Sequence, residues 1–131
     1  MFFHRLTDDQ KRSFLALATK MLLADGRVAP EEERLLETMR SELGMDIKAK
    51  AAEIHGPIDE MAFDTRESRV VATLGFLVMG FIDKQFHMDE TAVFDEVCEA
   101  FGFSTEEVER MRAWARRHTE MLEEVDRLIT E

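Results

Sequence analysis

The chain holds one cysteine, two prolines, six glycines and no tyrosine in 131 residues. The single thiol, Cys98, can close no internal disulfide, so nothing argues for an oxidising compartment, and a small buried apolar role is expected for it. Turn residues are scarce, and a charged fraction of 34% describes a chain made mostly of helices. No apolar run is long enough to cross a bilayer. The longest, Val70 to Ile82, is bounded by Arg69 and Asp83 and falls well short of the roughly 20 residues required, so it is expected as a buried central helix. The uninterrupted apolar stretch of a secretory signal is missing too, since Met1-Phe2-Phe3-His4-Arg5 leads straight into Thr7-Asp8-Asp9-Gln10-Lys11-Arg12. A cytoplasmic protein is the expectation.

What is present is acidic and apolar side chains in quantity. The 28 acidic side chains against 17 basic ones give a formal charge of -11, which repels a phosphate backbone and argues against nucleic-acid binding. Cations and basic protein surfaces are the partners such a field favours, although acid also keeps a protein soluble. A hydrophobic fraction of 45% is enough for one core, and residues 1–131 are expected to form a single domain.

Helical periodicity runs along most of the chain. Thr7 and Gln10 make a capping box, and Phe14, Leu17, Ala18, Met21 and Leu22 follow at helical spacing to about Ala24. Asp25-Gly26 breaks that helix, and Pro30 opens the next, with Glu31, Glu32 and Glu33 at its positive end and Leu35, Leu36, Met39 and Leu43 on one face. Gly44 is the expected stop, after which Asp46 caps a short helix displaying Ile47, Ala51 and Ile54. His55-Gly56-Pro57 marks a break, and Asp64 with Glu67 reads as a capping pair for the helix that continues through Val70, Leu74, Leu77 and Phe81. Gly75 and Gly80 inside it imply close approach of neighbours. A turn at residues 84–88 precedes a helix with Val93, Phe94, Val97, Cys98 and Phe101 inward, closed by Gly102. Ser104 and Glu107 cap the last helix, about 105–130, whose seam of Val108, Met111, Ala115, His118, Leu122, Val125 and Ile129 steps by three and four. Such a stripe is more often a face on its own core than a protruding end that self-associates.

The halves repeat. An offset of 58 positions places Met21 on Met79, Asp25 on Asp83, Glu32 on Glu90 and Gly44 on Gly102, with similar residues between them. The pattern predicts an all-α, pseudo-symmetric bundle of two related helix-turn-helix halves, about 10–55 and 66–115, with about six to seven helices in total. Each half carries an Asp at the end of one helix and a Glu seven residues later in the first turn of the next. If the two turns meet, Asp25, Glu32, Asp83 and Glu90 collect, with Glu31, Asp89 and His87 nearby, and crowded carboxylates need a cation or a basic side chain between them. The same acids also serve as helix caps and turn acceptors, which is the simpler explanation.

The run Met21-Leu22-Leu23-Ala24-Asp25-Gly26-Arg27-Val28-Ala29-Pro30-Glu31-Glu32 resembles the TerB-like family, named for a bacterial tellurite-resistance protein, over most of residues 10–115. The resemblance implies an all-helical domain of two related halves, a cytoplasmic setting linked to stress responses or membrane-associated assemblies, and an acidic pair in each half, here Asp25 with Glu32 and Asp83 with Glu90. The second copy departs at Lys84, where the first has Gly26. The family also stands in front of J-domain co-chaperones, but this chain contains no His-Pro-Asp.

Other chemistries fare worse. The turn imitates the back half of an EF-hand loop, yet Met21 and Leu23, and again Met79 and Phe81, stand where calcium-binding carboxylates belong. The four histidines show no paired zinc spacing, no glycine-rich phosphate loop exists, and the serines fall in helical or capping contexts. The leading expectation is a non-enzymatic TerB-like module that binds Mg, Ca or Mn, or a basic protein partner, through its acidic inter-repeat surface. The alternative is a helical interaction or homodimerisation domain whose carboxylates are purely structural.

Overall fold

The computed structural model describes residues 2–23, 30–44, 51–82 and 88–131, and among these every regular element is helical. The helices are α1 (Asp8–Leu22), α2 (Pro30–Leu43), α3 (Ala51–His55), α4 (Arg66–Ile82), α5 (Ala92–Ala100) and α6 (Thr105–Thr130), with short 3₁₀ turns at Phe2–Arg5, Glu60–Ala62 and Met88–Glu90. The all-α class and the helix order match the sequence reading.

Local signals set most boundaries. Thr7 Oγ1 accepts from the Gln10 N–H at 3.1 Å while Gln10 Oε1 accepts from the Thr7 N–H at 3.0 Å, the reciprocal box expected at the start of α1. Gln10 also donates through Nε2 to the Ala62 carbonyl and to Asp64 Oδ1, both at 3.3 Å. That contact explains a shift of one residue at α4. Asp64 is engaged by Gln10, so Thr65 and Ser68 cap the helix in place of the expected Asp64 and Glu67, and the Ser68 N–H donates to Thr65 Oγ1 at 3.1 Å. Arg5 takes up Glu67.

The stop of α5 is a Schellman motif. Phe103 N–H reaches the Cys98 carbonyl at 3.1 Å and Gly102 N–H reaches Glu99 at 3.0 Å, which requires the positive φ of 79° at Gly102. Gly44 follows α2 at φ 74°, its N–H reaching the Ser41 carbonyl at 3.1 Å.

The core follows from these placements. α4 is the central helix, packed against α6, α1, the N-terminal 3₁₀ turn and the turn at Met88–Glu90. Phe14 stacks on Phe76 with ring centres 4.5 Å apart, and Phe3 leans on Phe14 at 5.0 Å. Leu35, Leu36, Met39 and Leu43 are buried as the α2 periodicity predicted, and Phe94, Val97 and Cys98 are buried on α5. Gly75 and Gly80 act as read from sequence: a Cβ at Gly75 would stand 2.7 Å from the Phe3 ring, and one at Gly80 would stand 3.3 Å from Met88. On α3, Ala51 is exposed and Ile54 is half-buried. Asp46 and Ile47 lie outside the described residues.

The sequence repeat is not carried element for element. α2 starts at Pro30, but the matching Met88 opens a 3₁₀ turn, and α5 begins only at Ala92 after its cap, Thr91. The physical reason is the cap itself: Thr91 Oγ1 accepts the Phe94 N–H at 3.1 Å and donates to the Met88 carbonyl at 2.8 Å, which fixes the helix start four residues later than in the first half.

Candidate interaction surface and the acidic turns

Asp25, Asp83 and His87 lie outside the described residues. Glu31 and Glu32 occupy the first turn of α2, and nothing is described of their side chains. Glu90 closes the 3₁₀ turn instead of entering the first turn of a helix as expected, and its side chain is exposed. Among the described residues no group of three or more His, Cys, Asp or Glu is placed to hold a metal ion.

Asp89 has a definite structural partner. Arg112 of α6 donates through Nε to Asp89 Oδ2 at 3.2 Å and through Nη2 to the Asp89 backbone carbonyl at 3.2 Å. The two side chains are only 14% and 22% exposed. The guanidinium also pairs with Glu109 and lies over the Phe94 ring at 5.6 Å. Burial alone would lower the pKa of Arg112, but Glu109 and Asp89 outweigh it and hold the group charged. The clamp joins the turn before α5 to α6 and turns Asp89 towards a protein cation. The basic side chain that crowded carboxylates call for is, at Asp89, Arg112, which lies 23 positions away.

Cys98 is 6% exposed, and burial pushes its thiol up to about 11, with Arg112 pulling it down and Asp95 raising it further. A thiol held neutral this way is a poor nucleophile. That agrees with the apolar role read from its position on α5.

The surface that stands out is α6. Val108 and Ala115 are buried and Met111, Trp114 and His118 half-buried, so the first half of the seam does lie on the domain. Beyond Thr119 the seam emerges together with two apolar residues that flank it, Met121 and Leu128. Met121 is 66% exposed, Leu122 45%, Val125 49%, Leu128 65% and Ile129 74%. Of the two cases weighed from sequence, the core face holds for the first half of the stripe and the protruding end for its last three turns. The reason is length: α4 ends at Ile82, near the level of Arg116, whose guanidinium lies over Phe81 at 5.7 Å, and α6 continues to Thr130.

The exposed stripe runs into a groove. Phe2, Val70, Leu74, Met111 and Trp114 line a depression of about 620 Å³ between α4, α6 and the N-terminus, with Arg110 and Arg117 on its α6 side. At 100° per residue, Met111, Trp114, Met121, Val125 and Leu128 fall within one sector of the helix, so groove and stripe share a face. Phe2 reaches Trp114 at 6.0 Å, and His118 stacks on the indole at 5.2 Å. Sequence reading found the seam but missed this groove, because Phe2, Val70 and Leu74 come from elements whose pairing with α6 is tertiary information. Met121 and Leu128 were missed because they flank the three-four seam that was read as the core face.

No described helix is long and apolar enough to cross a membrane. Comparison with known proteins supplies no relative: no family model matches the chain, and neither a curated protein nor a solved structure does.

Proposed function

We propose that the chain is a non-enzymatic protein-interaction domain whose binding face is the second half of α6 together with the groove beside it. The observation that carries this reading is the row Met121, Leu122, Val125, Leu128 and Ile129, five large apolar side chains left in solvent on one side of a well-capped helix. A contiguous apolar face of this kind marks a contact surface, whereas scattered exposed apolar residues do not. Helix-to-helix docking is the mode that such a face serves. Of the acids in the turns, Asp89 is engaged by Arg112, which supports a structural role for that one carboxylate.

The test separates folding from binding. Leu128→Ser with Ile129→Ser should leave the thermal midpoint within about 4 °C of wild type, since these side chains bury little on folding. Cooperative loss of the domain in that variant would show that the row is structural and would end the reading.

A second reading rests on the duplicated pairs Asp25 with Glu32 and Asp83 with Glu90, which the TerB-like resemblance also singles out: a site for Mg, Ca or Mn, or for a basic protein partner. Its support is the sequence repeat. Thermal unfolding with and without each cation, comparing wild type with Asp25→Ala plus Asp83→Ala, decides it, and a wild-type midpoint indifferent to all three ions removes the metal version.

A further inference from the structure

We infer that the occupant of the α6 face is a second copy of the chain, with the two α6 helices running antiparallel; this rests on the interaction-domain reading and names its partner. A charge pattern along one edge of the apolar face selects this partner. Arg110, Arg117, Glu124 and Glu131 follow one another at seven-residue intervals, so they form a single flank that is basic at one end and acidic at the other. All four are exposed, and none has an ion-pair partner among the described residues.

In an antiparallel pair of helices this flank faces its own copy in reverse order. Arg117 then meets Glu124 of the second copy and Arg110 meets its Glu131, and the two-fold axis repeats both contacts. The apolar layers close in the same register. Met111 lies against Leu128 of the second copy, Trp114 against its Val125, and His118 against its Met121. A parallel pair gains nothing of the kind, because it sets the charged flank beside the opposite edge, made of Val108, Ala115, Leu122 and Ile129.

Shape agrees with charge. The antiparallel register places Val125 and Leu128 of one copy over Met111 and Trp114 of the other, where the groove floored by Phe2, Val70 and Leu74 opens. Arg110 and Arg117 line the side of that groove on which the acidic end of the other helix arrives. Each copy contributes both a groove and a tail, so the contact is mutual and stops at two chains.

Sedimentation equilibrium on the full chain, over about 5 to 500 µM, tests the proposal, with a dimer expected in the micromolar range. Glu124→Arg sets Arg117 against arginine at two symmetric places and should weaken the dimer at least about tenfold. Adding Arg117→Glu restores opposite charges only in the antiparallel arrangement, and the double variant should return to within about threefold of wild type. Thermal melts of the same variants check that the fold is intact, as exposed positions predict. A single reversal without effect, or a swap that fails to restore, overturns the antiparallel pairing. A wild-type chain that stays monomeric throughout overturns self-association and leaves the face to a different protein. That outcome is distinct from failure of the interaction reading, which is registered by unfolding of the Leu128→Ser plus Ile129→Ser variant.

Discussion

Gly75→Ala sets two effects of known sign against each other in the centre of the molecule. Replacing glycine by alanine inside a helix is worth about 0.8–1.0 kcal/mol in favour of alanine, because the glycine backbone loses more freedom on folding. At this site the added methyl meets an occupied space. It would stand 2.7 Å from Phe3 Cε1, 2.8 Å from Phe14 Cε2 and 3.0 Å from Phe3 Cζ. Neither ring has room to retreat, since Phe3 and Phe14 are 1% and 0% exposed and Phe14 is stacked flat on Phe76. Overpacking of this kind costs about 1–3 kcal/mol, so the steric effect wins and the net loss should be about 1 kcal/mol, or about 3–6 °C in thermal midpoint. Urea denaturation with unchanged m-value is the assay. Gly80→Ala is the internal control: its nearest contacts, Met88 Cβ and N, are 3.3 Å away, so propensity and crowding nearly cancel there. A Gly75→Ala protein as stable as wild type would refute the claim that α4 needs glycine to accept the Phe3 and Phe14 rings.

Further outcomes follow from the clamps and caps. Asp89→Ala leaves the Arg112 guanidinium with Glu109 and the Phe94 ring in a half-buried place, and should cost about 1–2 kcal/mol by urea unfolding, whereas a change near zero would show that the pair is only a surface contact. The backbone N–H of Ser104 and then Arg66 hold the Glu107 carboxyl below its ordinary range. Its contribution is therefore complete above the ordinary glutamate pKa and fades as pH falls through the lower folded value. Glu107→Gln should flatten that acid limb of the stability profile. Cys98 gives the opposite limb: its folded pKa of about 11 exceeds the ordinary value of 9.0, so the unfolded thiol ionises first and stability falls as pH rises from about 9 to 11. Cys98→Ala should remove that alkaline slope, and equal slopes in both proteins would contradict the burial assigned to the thiol.

The parts of the fold that were legible in the sequence are those settled within a few residues of chain. The capping boxes at Thr7 with Gln10 and at Ser104 with Glu107 needed only one turn to recognise, and both form as read. The stops at Gly44 and Gly102 were legible for the same reason, since a positive φ after an apolar run selects glycine. Reading failed where two local solutions competed and a distant residue chose between them. Asp64 and Thr65 are both competent caps, and the choice fell to Thr65 because Gln10 of α1 holds Asp64. In the acidic turns the same limit applied to Asp89. Its identity as an acid at a helix entry was plain, but its orientation was set by Arg112, whose matching position in the first copy is the apolar Ile54 of α3.

The α6 seam shows how one periodic pattern can serve two purposes. Steps of three and four keep side chains on one face for as long as they continue, but they say nothing about where the neighbouring helix stops. α4 stops at Ile82, and so the residues before Thr119 contribute to folding while those after it face water. Exposing five large apolar side chains favours association, against which a chain of net charge -11 is opposed by its own field. That repulsion acts over about one screening length, roughly 8 Å at physiological salt, so two copies approach most easily where opposite charges can be brought into direct register. Arg110 and Arg117 are the only basic residues on the flank of α6 that carries Glu124 and Glu131, and a chain with so marked an acidic excess has placed them at the far end from those acids. Segregated along one edge in this way, the four charges cannot satisfy one another within a straight helix. The proposed second helix, running in the opposite sense, brings them together.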